Sequence, residues 1–406
     1  MNAFQVGLLI LTTCCVAFWL GAASLIVGAI RKVPLLARLP LDERSSWPRV
    51  SVIIPACNEG LTLESAMRTK LEEDYPNVEF ILVEDRSTDA TPEITDRLAA
   101  SDSRIRGFHV RELPSGWLGK LNAMHVGVRH ATGDWLLFTD ADVHLAPGTL
   151  RRAIAWAEHR GFDHLAAFPH LWPTSFWLDA ALSFFARLVC LGLRITAIEN
   201  PRSKAAAGVG AFNLVRRTAF ERTAGFEEIR LEVGDDVALA QMLKRAGARA
   251  SVVNGRDAVG LVFYASFGEM TRATEKNGYA VMGRYTVWRV VVGSTALVLM
   301  EFAPYLALAF GASAALRAVG GATAIIALSM SVAANRWLGR TTLPAIVAPL
   351  GSLLFAWMML RSAWLGWRRR GLLWRGTLYP TELLRAGQRQ NSDSHRRIEA
   401  ERGPGA

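Results

Sequence analysis

Long apolar blocks at both ends of the chain flank a middle section in which short apolar runs alternate with mixed segments. Residues 4–30 contain no charged side chain, and much of the chain beyond Val290 is similarly apolar. A helix that crosses a bilayer needs about 20 apolar residues, so these blocks exclude a purely soluble protein. The pattern predicts an N-terminal membrane anchor with its linker over 1–40, a large domain over 41–288 and a C-terminal membrane region over 289–367.

The middle domain alternates runs typical of buried strands with stretches typical of helices. The predicted strands are Val50–Pro55, Val78–Asp85, Ile105–Val110 and Asp134–Asp140, and the predicted helices between them include Leu61–Glu73 and Thr91–Ala100. Helices of this length between strands favour a parallel sheet covered on both faces. Ligands of such sheets bind at the carboxyl ends of the strands, and polar residues crowd those ends here.

Two further segments of the domain are apolar but carry charges. They are Phe176–Ile195, with Asp179 and Arg187 inside it, and Phe267–Val287. We interpret both as helices that lie in the membrane interface, although a core helix of the domain would show a similar pattern.

The C-terminal region contains three candidate spans, of which two or three cross the membrane. They are Val290–Leu316, Val319–Ala334 and Leu343–Leu360. Glu301 and Pro304 interrupt the first, and a carboxylate at mid-membrane costs about 3 kcal/mol on insertion scales.

Charges that flank the apolar blocks predict the orientation. Arg31 and Lys32 follow the first block and no lysine or arginine precedes it, so the positive-inside rule predicts an outside N-terminus and a cytosolic domain. Three C-terminal spans would place the arginine-rich C-terminus outside. We therefore predict that one of the first two C-terminal spans is re-entrant or interfacial.

Composition agrees with a membrane protein. The chain is 51% hydrophobic and 20% charged, with a net charge of +10. From Arg361 onward there are ten arginines and four acidic residues, which we interpret, together with the basic tail over 368–406, as topology signals and contacts with anionic lipids rather than with nucleic acid. The four cysteines form no CxxC pair, so neither a zinc site nor a disulfide framework is indicated.

The most informative chemical signal is Asp140 and Asp142 at the end of an apolar strand. Carboxylates at i and i+2 of an extended segment point the same way. Such a pair can hold Mg²⁺ or Mn²⁺ while water and phosphate oxygens complete its coordination. The alternative is a strand-terminal turn with solvated acids.

Polar loops follow the first two strands. Residues 55–60 (PACNEG) and 84–89 (EDRSTD) place acceptors at one edge of the sheet, where the base and ribose of a nucleotide would present donors. Each loop is also compatible with ordinary helix capping. Residues 119–122 (GKLN) then offer a cation and helix-terminal amides to a diphosphate. Fingerprints of nicotinamide-binding and P-loop proteins are absent from the sequence.

A last acidic segment, residues 232–236 (EVGDD), opens the predicted helix Val237–Ala246. Acids in a first helical turn are favoured by the helix dipole. The functional alternative is that one of them is a general base toward an acceptor hydroxyl.

In chain order, PACNE, VEDRSTDAT, GKLNA, FTDADV, GVGAFNLVRR and GDD resemble family 2 glycosyltransferases of the GT-A fold, a Rossmann-like nucleotide-binding sheet with helices on both faces. The resemblance runs from about Val50 to Tyr285. The membrane segments at both ends resemble a membrane-bound branch of ceramide glucosyltransferase-like, carotenoid and hopanoid-associated enzymes. The segment Trp374–Thr377 also resembles sequences of that branch.

The resemblance implies a role for each matching residue. Asp85 and the PACNE turn would hold the nucleoside, Lys120 and Asn122 would lie near the diphosphate, Asp140 and Asp142 would bind the metal, and Asp236 would be the catalytic base with Asp235 beside it. The implied substrate-binding residues are Pro55, Ala56, Asn58, Glu59, Asp85, Ser87, Gly119, Lys120, Asn122, Asp140 and Gly210.

One departure from the family pattern affects the predicted product. The Q-x-x-R-W motif is missing, and the corresponding residues 272–277 read RATEKN. Synthesis of a long polymer is therefore doubtful, and acceptor binding by this region stays unassigned.

Together these features predict an inverting, metal-dependent glycosyltransferase in a bacterial cytoplasmic membrane. It would move one sugar from a nucleotide sugar to a hydroxyl of a membrane lipid, such as a polyisoprenoid. A single base without an obvious carboxylate nucleophile favours one displacement, hence inversion. The alternatives are a nucleotidyl or phosphosugar transferase, a processive polysaccharide synthase, and a non-catalytic membrane scaffold.

Overall fold

The computed structural model describes residues 2–42 and 44–387. The arginines at 389, 396, 397 and 402, and with them residues 388–406 of the predicted basic tail, lie outside the described residues. The helices are α1 Ala3–Lys32, α2 Leu63–Leu71, α3 Thr91–Ser101, α4 Gly119–His130, α5 Thr149–Arg160, α6 Phe176–Gly192, α7 Arg217–Glu221, α8 Asp235–Arg245, α9 Phe267–Ala273, α10 Val287–Phe310, α11 Ala314–Trp337, α12 Leu343–Ile346, α13 Ala348–Arg369 and α14 Thr381–Gly387. The strands are β1 Val50–Ala56, β2 Val78–Asp85, β3 Ile105–Val110, β4 Trp135–Phe138, β5 His144–Leu145, β6 His164–Phe168, β7 His170–Leu171, β8 Asn213–Arg216, β9 Ala250–Asn254, β10 Val259–Leu261, β11 Gly371–Trp374 and β12 Thr377–Pro380.

The described part of the domain is organised around a seven-stranded sheet in the order β3-β2-β1-β4-β8-β6-β9. Val50 of β1 is in register with Val78 of β2 on one side and with Trp135 of β4 on the other, both in parallel. The predicted α/β architecture is thus present, but the prediction of a fully parallel sheet is wrong at β8. This strand is antiparallel to both β4 and β6, because the chain enters it from the edge at which its neighbours end.

Helices cover both faces of this sheet, as the alternation within the strands requires. Ile53 of β1 belongs to the same buried cluster as Leu121 of α4. Its neighbour Val52 points to the opposite face, where it shares a cluster with Met67 of α2 and Ile154 of α5. All strand positions of β1 and β2 are buried, so the core lies on either side of the sheet.

Four helices of the described chain are long and apolar enough to cross a membrane: Ala3–Lys32, Phe176–Ala197, Val287–Phe310 and Ala314–Trp337. At the end of the bundle away from the sheet, the Gln5 side chain donates to the carbonyl of Phe310 and accepts the N–H of Ala312, at 3.0 and 2.9 Å. The beginning of α1 therefore lies beside the connection between α10 and α11.

Several predicted membrane segments have different boundaries in the structure. The first two C-terminal candidates are continuous helices of 24 residues each, which does not favour a re-entrant segment at either position. The third is divided at Val347 into α12 and α13. Residues 267–287 do not form one helix, because α9 ends at Ala273 and a π-helical segment follows over Asn277–Met282.

The charges inside the apolar helices neutralise each other. Arg187 of α6 donates to the carboxylate of Glu301 in α10 and to the hydroxyl of Ser331 in α11. Its guanidinium also lies 4.7 Å from the ring centroid of Trp19 in α1. Arg187 thereby contacts three other helices. The Glu301 carboxylate, which alone would be costly to bury in a membrane, is paired with this arginine.

The outer strand of the sheet is bonded directly to the membrane helices. The N–H of Asn254, the last residue of β9, donates to the carbonyl of Pro34 at 2.9 Å, just after α1 ends. The Asn254 amide also donates to the carbonyl of Trp337, the last residue of α11, at 2.6 Å. The domain is therefore held against the ends of two candidate spans rather than on a free linker.

Candidate active site

The Asp140–Asp142 segment lies in a turn at the carboxyl end of β4. The N–H of Thr139 still donates to Ile53 of β1 at 3.2 Å, and the N–H of Asp140 donates to the carbonyl of Gly210 at 3.0 Å. The two carboxylates thus follow the last ladder bonds of the strand and stand at the edge where β1 and β2 also end. The segment therefore lies at the sheet edge, where the sequence placed it, but it is a turn rather than an extended strand.

Lys120, in the first turn of α4, connects two acidic segments that are far apart in sequence. Its Nζ lies 2.7 Å from Asp140 Oδ1 and 2.9 Å from Asp235 Oδ2. Burial alone would lower the pKa of Lys120, but Asp140 and Asp235 raise it above its ordinary value. Burial opposes ionisation of Asp140 as well, yet the Lys120 ammonium lowers the pKa of that carboxyl. Lys120 is therefore a cation enclosed by carboxylates.

Asp236 faces the same cleft from the start of α8. Its carboxylate accepts the N–H of Gly210 at 3.2 Å and the N–H of Val237 at 2.8 Å. Burial, followed by the charge of Asp235, raises the pKa of Asp236 to about 6. The group is thus ionised at neutral pH and more basic than an ordinary aspartate, as a general base requires.

Asp142 differs from Asp140 in having no ion-pair partner in the described part of the chain. Burial, the Asp140 carboxylate and Glu59 raise the pKa of Asp142 to about 7. Behind the turn, the ammonium of Lys70 donates to the carbonyls of Ala141 and Val143. Lys70 was not identified from the sequence, where it is one lysine of an amphipathic helix, and its bonds hold the main chain of the turn.

The two loops that were predicted to hold a nucleoside are bonded to each other. The N–H of Asn58 donates to the Ser87 hydroxyl at 3.0 Å, and the N–H of Thr88 donates to the Asn58 amide oxygen at 2.8 Å. Asn58 itself has a left-handed backbone, with φ of 58°. Asn58, Ser87 and their neighbours Pro55, Ala56 and Glu59 thus form one continuous rim at the ends of β1 and β2.

Asp85 is buried beneath this rim. Both of its carboxylate oxygens accept bonds from the Arg86 guanidinium, at 2.8 and 3.2 Å. The Asp85 carboxylate also lies against Gly119, where any side chain would collide with it. Because Gly119 directly precedes Lys120, the predicted nucleoside and diphosphate regions are adjacent. Asn122 is buried in α4 and does not line the cleft.

The cleft that these elements enclose is lined by residues from five segments of the chain. They are Pro55, Lys120, Met124, Phe138, Thr139, Asp140, Gly210, Asn213, Asp235, Asp236 and Leu239. Its free volume is about 10 Å³, which is roughly the space of one water molecule. The acidic segments predicted from the sequence therefore converge, and the cleft between them is narrow.

A hairpin that follows α13 reaches the mouth of the cleft. Arg375, at its turn, has Nη2 3.7 Å from Oε1 of Glu59 in the rim. Tyr379 of β12 lies beside the N–H of Gly119, and Trp374 of β11 lies under the ammonium of Lys276 at 4.3 Å from its ring centroid. No sequence pattern predicted the contact between the hairpin and the rim, because the hairpin residues 374–379 lie more than 200 positions after the rim.

A larger cavity lies between the candidate span α10 and α13. Its volume is about 680 Å³, and it is lined by Tyr279, Tyr285, Thr286, Val287, Trp288, Val291, Leu360, Trp364, Trp367 and Arg385. The size is in the range of small-molecule sites. Its walls are aromatic and aliphatic, with one arginine.

Comparison with protein families shows that residues 51–223 of the chain match the family "Glycosyl transferase family 2". The matched segment contains the rim, Lys120 and the Asp140–Asp142 turn, but ends before Asp235. The resemblance inferred from the motifs is therefore confirmed.

Curated relatives match parts of the chain. The GalNAc(5)-diNAcBac-PP-undecaprenol beta-1,3-glucosyltransferase of Campylobacter jejuni is 30% identical over 118 residues, which are 29% of this chain and 37% of that protein. The 4,4'-diaponeurosporenoate glycosyltransferase of Staphylococcus haemolyticus is 23% identical over 240 residues, 58% of this chain and 62% of that protein. The chain thus matches less than two thirds of the length of either relative.

Among solved structures, the mannosyltransferase PcManGT of Pyrobaculum calidifontis, in complex with GDP-Man and Mn²⁺, aligns with a TM-score of 0.52. The alignment covers 85% of this chain and 99% of that chain at 20% sequence identity. At this identity the similarity concerns the fold alone, and it confirms the predicted α/β, GT-A architecture.

Proposed function

Since residues 51–223 form a family 2 glycosyltransferase domain, we propose that this chain transfers a single sugar from a nucleotide sugar to a hydroxyl of a membrane lipid. The observation that carries the proposal is the convergence of Asp140, Asp235 and Asp236 around Lys120 at the carboxyl edge of the sheet. This edge is where sheets of this kind bind nucleotides. The cleft combines acidic groups for a cation with a separate carboxylate base.

Asp140 and Asp142 would hold a divalent cation, Mg²⁺ or Mn²⁺. The described part of the chain has no group of three or more His, Cys, Asp or Glu side chains arranged for a metal. A two-carboxylate site still fits Mg²⁺, which is commonly bound by one or two carboxylates together with substrate phosphates. Burial, and after it the charges of Asp140 and Glu59, raise the pKa of Asp142, and a bound cation would favour its ionised form. Such a cation neutralises charge on a departing diphosphate.

Asp236 would accept the proton of the acceptor hydroxyl. Gly210 orients its carboxylate through the main-chain N–H, and each carboxylate oxygen retains lone pairs for a further donor. Asp235 is engaged by Lys120, so it is poorly placed to act as base or nucleophile. With one free carboxylate for the acceptor, a single in-line displacement is favoured, and the anomeric carbon would be inverted.

The cavity between α10 and α13 supports a lipid acceptor. Its aromatic and aliphatic walls suit a hydrocarbon chain, and Arg385 suits an anionic or hydroxylated head. Trp288 and Trp367 on its walls are exposed, as is typical of side chains at a membrane interface. The segment that supplies Tyr279 to this cavity also supplies Lys276 to the mouth of the cleft, which connects the two sites. Relatives whose names include PP-undecaprenol and 4,4'-diaponeurosporenoate agree with this class of acceptor.

We further propose that the domain faces the cytosol at a bacterial cytoplasmic membrane. Arg31 and Lys32 end α1 on the side of the domain, and Arg336 ends α11 on the same side. The positive-inside rule assigns this side to the cytosol, where nucleotide sugars are available.

The function is tested by incubating membranes that contain the protein with a panel of radiolabelled nucleotide sugars and extracting them with organic solvent. We expect label in the lipid extract, release of a nucleoside diphosphate, and neither product with Asp142→Asn. The absence of labelled lipid with every donor would contradict the proposal.

The same assay separates the alternatives. Release of pyrophosphate or of a nucleoside monophosphate would identify a nucleotidyl or phosphosugar transferase. A long polymer in the aqueous phase would identify a processive synthase. If no nucleotide sugar is turned over, the remaining alternative is a non-catalytic membrane scaffold.

A further inference from the structure

The cation that the sequence offers to a diphosphate is already neutralised within the protein. Lys120 Nζ lies within 2.9 Å of one oxygen each of Asp140 and Asp235. Two carboxylates outweigh one ammonium, so this group presents net negative charge to a ligand. Apart from the proposed divalent cation, a nucleoside diphosphate would therefore need positive charge from another part of the cleft.

Two cations at the mouth of the cleft are differently placed. Lys276 stands over the ring of Trp374 and forms no ion pair within residues 2–42 and 44–387. Arg375 has one carboxylate neighbour, Glu59, at 3.7 Å, and about a third of its side chain is exposed, 34%. A long, partly exposed pair of this kind contributes little stability, so Arg375 can leave Glu59 for a stronger partner at small cost.

Both cations act on the acidic cleft. The charges of Arg375 and Lys276 both interact with the Asp140 carboxylate. Lys276 in turn interacts with the carboxylates of Asp235 and Asp236. The two groups are therefore close enough to the cleft to contribute electrostatically to anything that binds beside Asp140.

The hairpin is built to hold its arginine at this place. Trp374 and Thr377 are paired across the turn, and the two turn residues, Arg375 and Gly376, have positive φ angles of 47° and 79°. Left-handed backbone at both central positions is the two-residue turn that matches the twist of a hairpin. Arginine rarely adopts this backbone conformation. The other end of the hairpin is fixed by the buried Tyr379, which lies beside Gly119.

We propose that Arg375, together with Lys276, binds the diphosphate of the nucleotide-sugar donor, so that the C-terminal hairpin completes the donor site from outside the family domain. The inference rests on the proposed function. Guanidinium and ammonium groups are the usual ligands of phosphate oxygens, and arginine can donate two bonds at once. Because the hairpin directly follows α13, donor binding would depend on the correct placement of the last long helix.

The experiment measures binding of UDP and GDP, each with Mn²⁺, to the full-length protein in detergent, with uridine and guanosine as phosphate-free probes. We expect Arg375→Ala and Lys276→Met each to weaken binding of the preferred diphosphate about tenfold or more, as for loss of a charge-assisted bond. Affinity for the matching nucleoside should not change. Arg375→Lys should recover part of the loss, because it keeps the charge.

Arg368→Ala is the matched control, because its guanidinium lies 5.3 Å from the ring of Trp364 on α13. It should bind both diphosphates as the wild type does. Equal affinities of wild type and of both test variants for the diphosphate would overturn the inference, and so would a parallel loss of nucleoside binding, which indicates a structural role. If the wild type binds neither diphosphate and labels no lipid, the proposed function itself fails.

Discussion

The main-chain N–H of Gly210 donates to the carboxylate of Asp236 over 3.2 Å. The same glycine lies against the predicted metal-binding segment, because its carbonyl accepts the N–H of Asp140 at 3.0 Å. One residue of the loop before β8 therefore positions both the proposed base and the proposed metal ligand.

Gly210→Ala tests this double contact. A Cβ at this position would lie 2.7 Å from Asp140 Oδ2 and 3.5 Å from Lys120 Nζ, so Asp140 must move. A displacement of about 1 Å at a reacting centre can cost on the order of 100-fold in rate, and we expect a loss of that size in transfer to lipid. Gly7→Ala, where nothing lies within 4 Å of an added Cβ, should retain full activity. Wild-type rates for Gly210→Ala would show that the contact is not needed.

Asp236→Asn should lower kcat about 10²- to 10⁴-fold, the range for loss of a general base, with little change in donor affinity. The wild-type pH profile supplies a second test. Since burial raises the pKa of Asp236 to about 6, the ionised base is lost as the pH falls through 6, and kcat/KM at saturating Mn²⁺ should decline below that pH. A profile that is flat down to pH 5 would assign the proton transfer to another group.

Removal of the metal, or of Asp142, should have the same consequence. Asp142→Asn should abolish transfer and the Mn²⁺-dependent part of nucleotide binding while the protein stays folded. Because burial and Asp140 raise the pKa of Asp142 to about 7, a cation must displace a proton at lower pH. The apparent affinity for Mn²⁺ should then fall about tenfold per pH unit below 7. Full activity after EDTA treatment would remove the metal from the proposal.

The buried pair of Arg187 and Glu301 should matter for stability. Removing one member of such a pair leaves an uncompensated buried charge and typically costs about 3–5 kcal/mol. We expect Arg187→Met to lower the thermal unfolding temperature in detergent strongly, and Arg187→Met combined with Glu301→Leu to recover much of the loss. A double variant no more stable than Arg187→Met would contradict this account.

The cavity between α10 and α13 is tested by filling it. Val291 lines the cavity, whereas its neighbour Val292 is similarly exposed but does not. Val291→Trp should reduce kcat/KM for the lipid acceptor about tenfold, equivalent to roughly 1.4 kcal/mol, and should leave the KM for the donor unchanged. Val292→Trp adds the same side chain to the bilayer-facing surface and should behave as the wild type. Equal acceptor kinetics of the two variants would place the acceptor elsewhere.

Much of the fold could be predicted from the sequence because strand and helix periods are local. Val78–Asp85 and Ile105–Val110 were predicted with the bounds that β2 and β3 have. The direction of β8 could not be predicted, since it depends on the edge from which the loop before Asn213 enters the sheet. The break near Ala273 was missed because charged and apolar residues continue without proline through that segment.

The acidic parts of the site were visible because each follows an apolar run or opens a helix. The sequence did not show that Lys120 neutralises these acidic groups. Lys120 and Asp235 are far apart in sequence and meet only when α4 and α8 pack on the same face of the sheet. Arg187 and Glu301 are 114 positions apart, and each alone suggested an anomaly within an apolar helix. Apart from the resemblance of residues 374–377 to the membrane-bound branch, Arg375 had no local signal of function, since its proposed role depends on where a hairpin 316 positions after Glu59 is placed.

If α1 and α11 cross a bilayer, the two bonds that join Asn254 to Pro34 and Trp337 fix how far the proposed catalytic edge stands above its surface. An enzyme fastened in this way cannot bend down to a hydroxyl that sits deeper, so it would select acceptors by the depth of their reactive oxygen as well as by their shape. Encounter with such an acceptor is a two-dimensional search, and its rate would depend on the number of molecules per unit area of membrane. Diluting the acceptor with inert lipid should therefore slow the reaction even when the total amount in the vessel is unchanged.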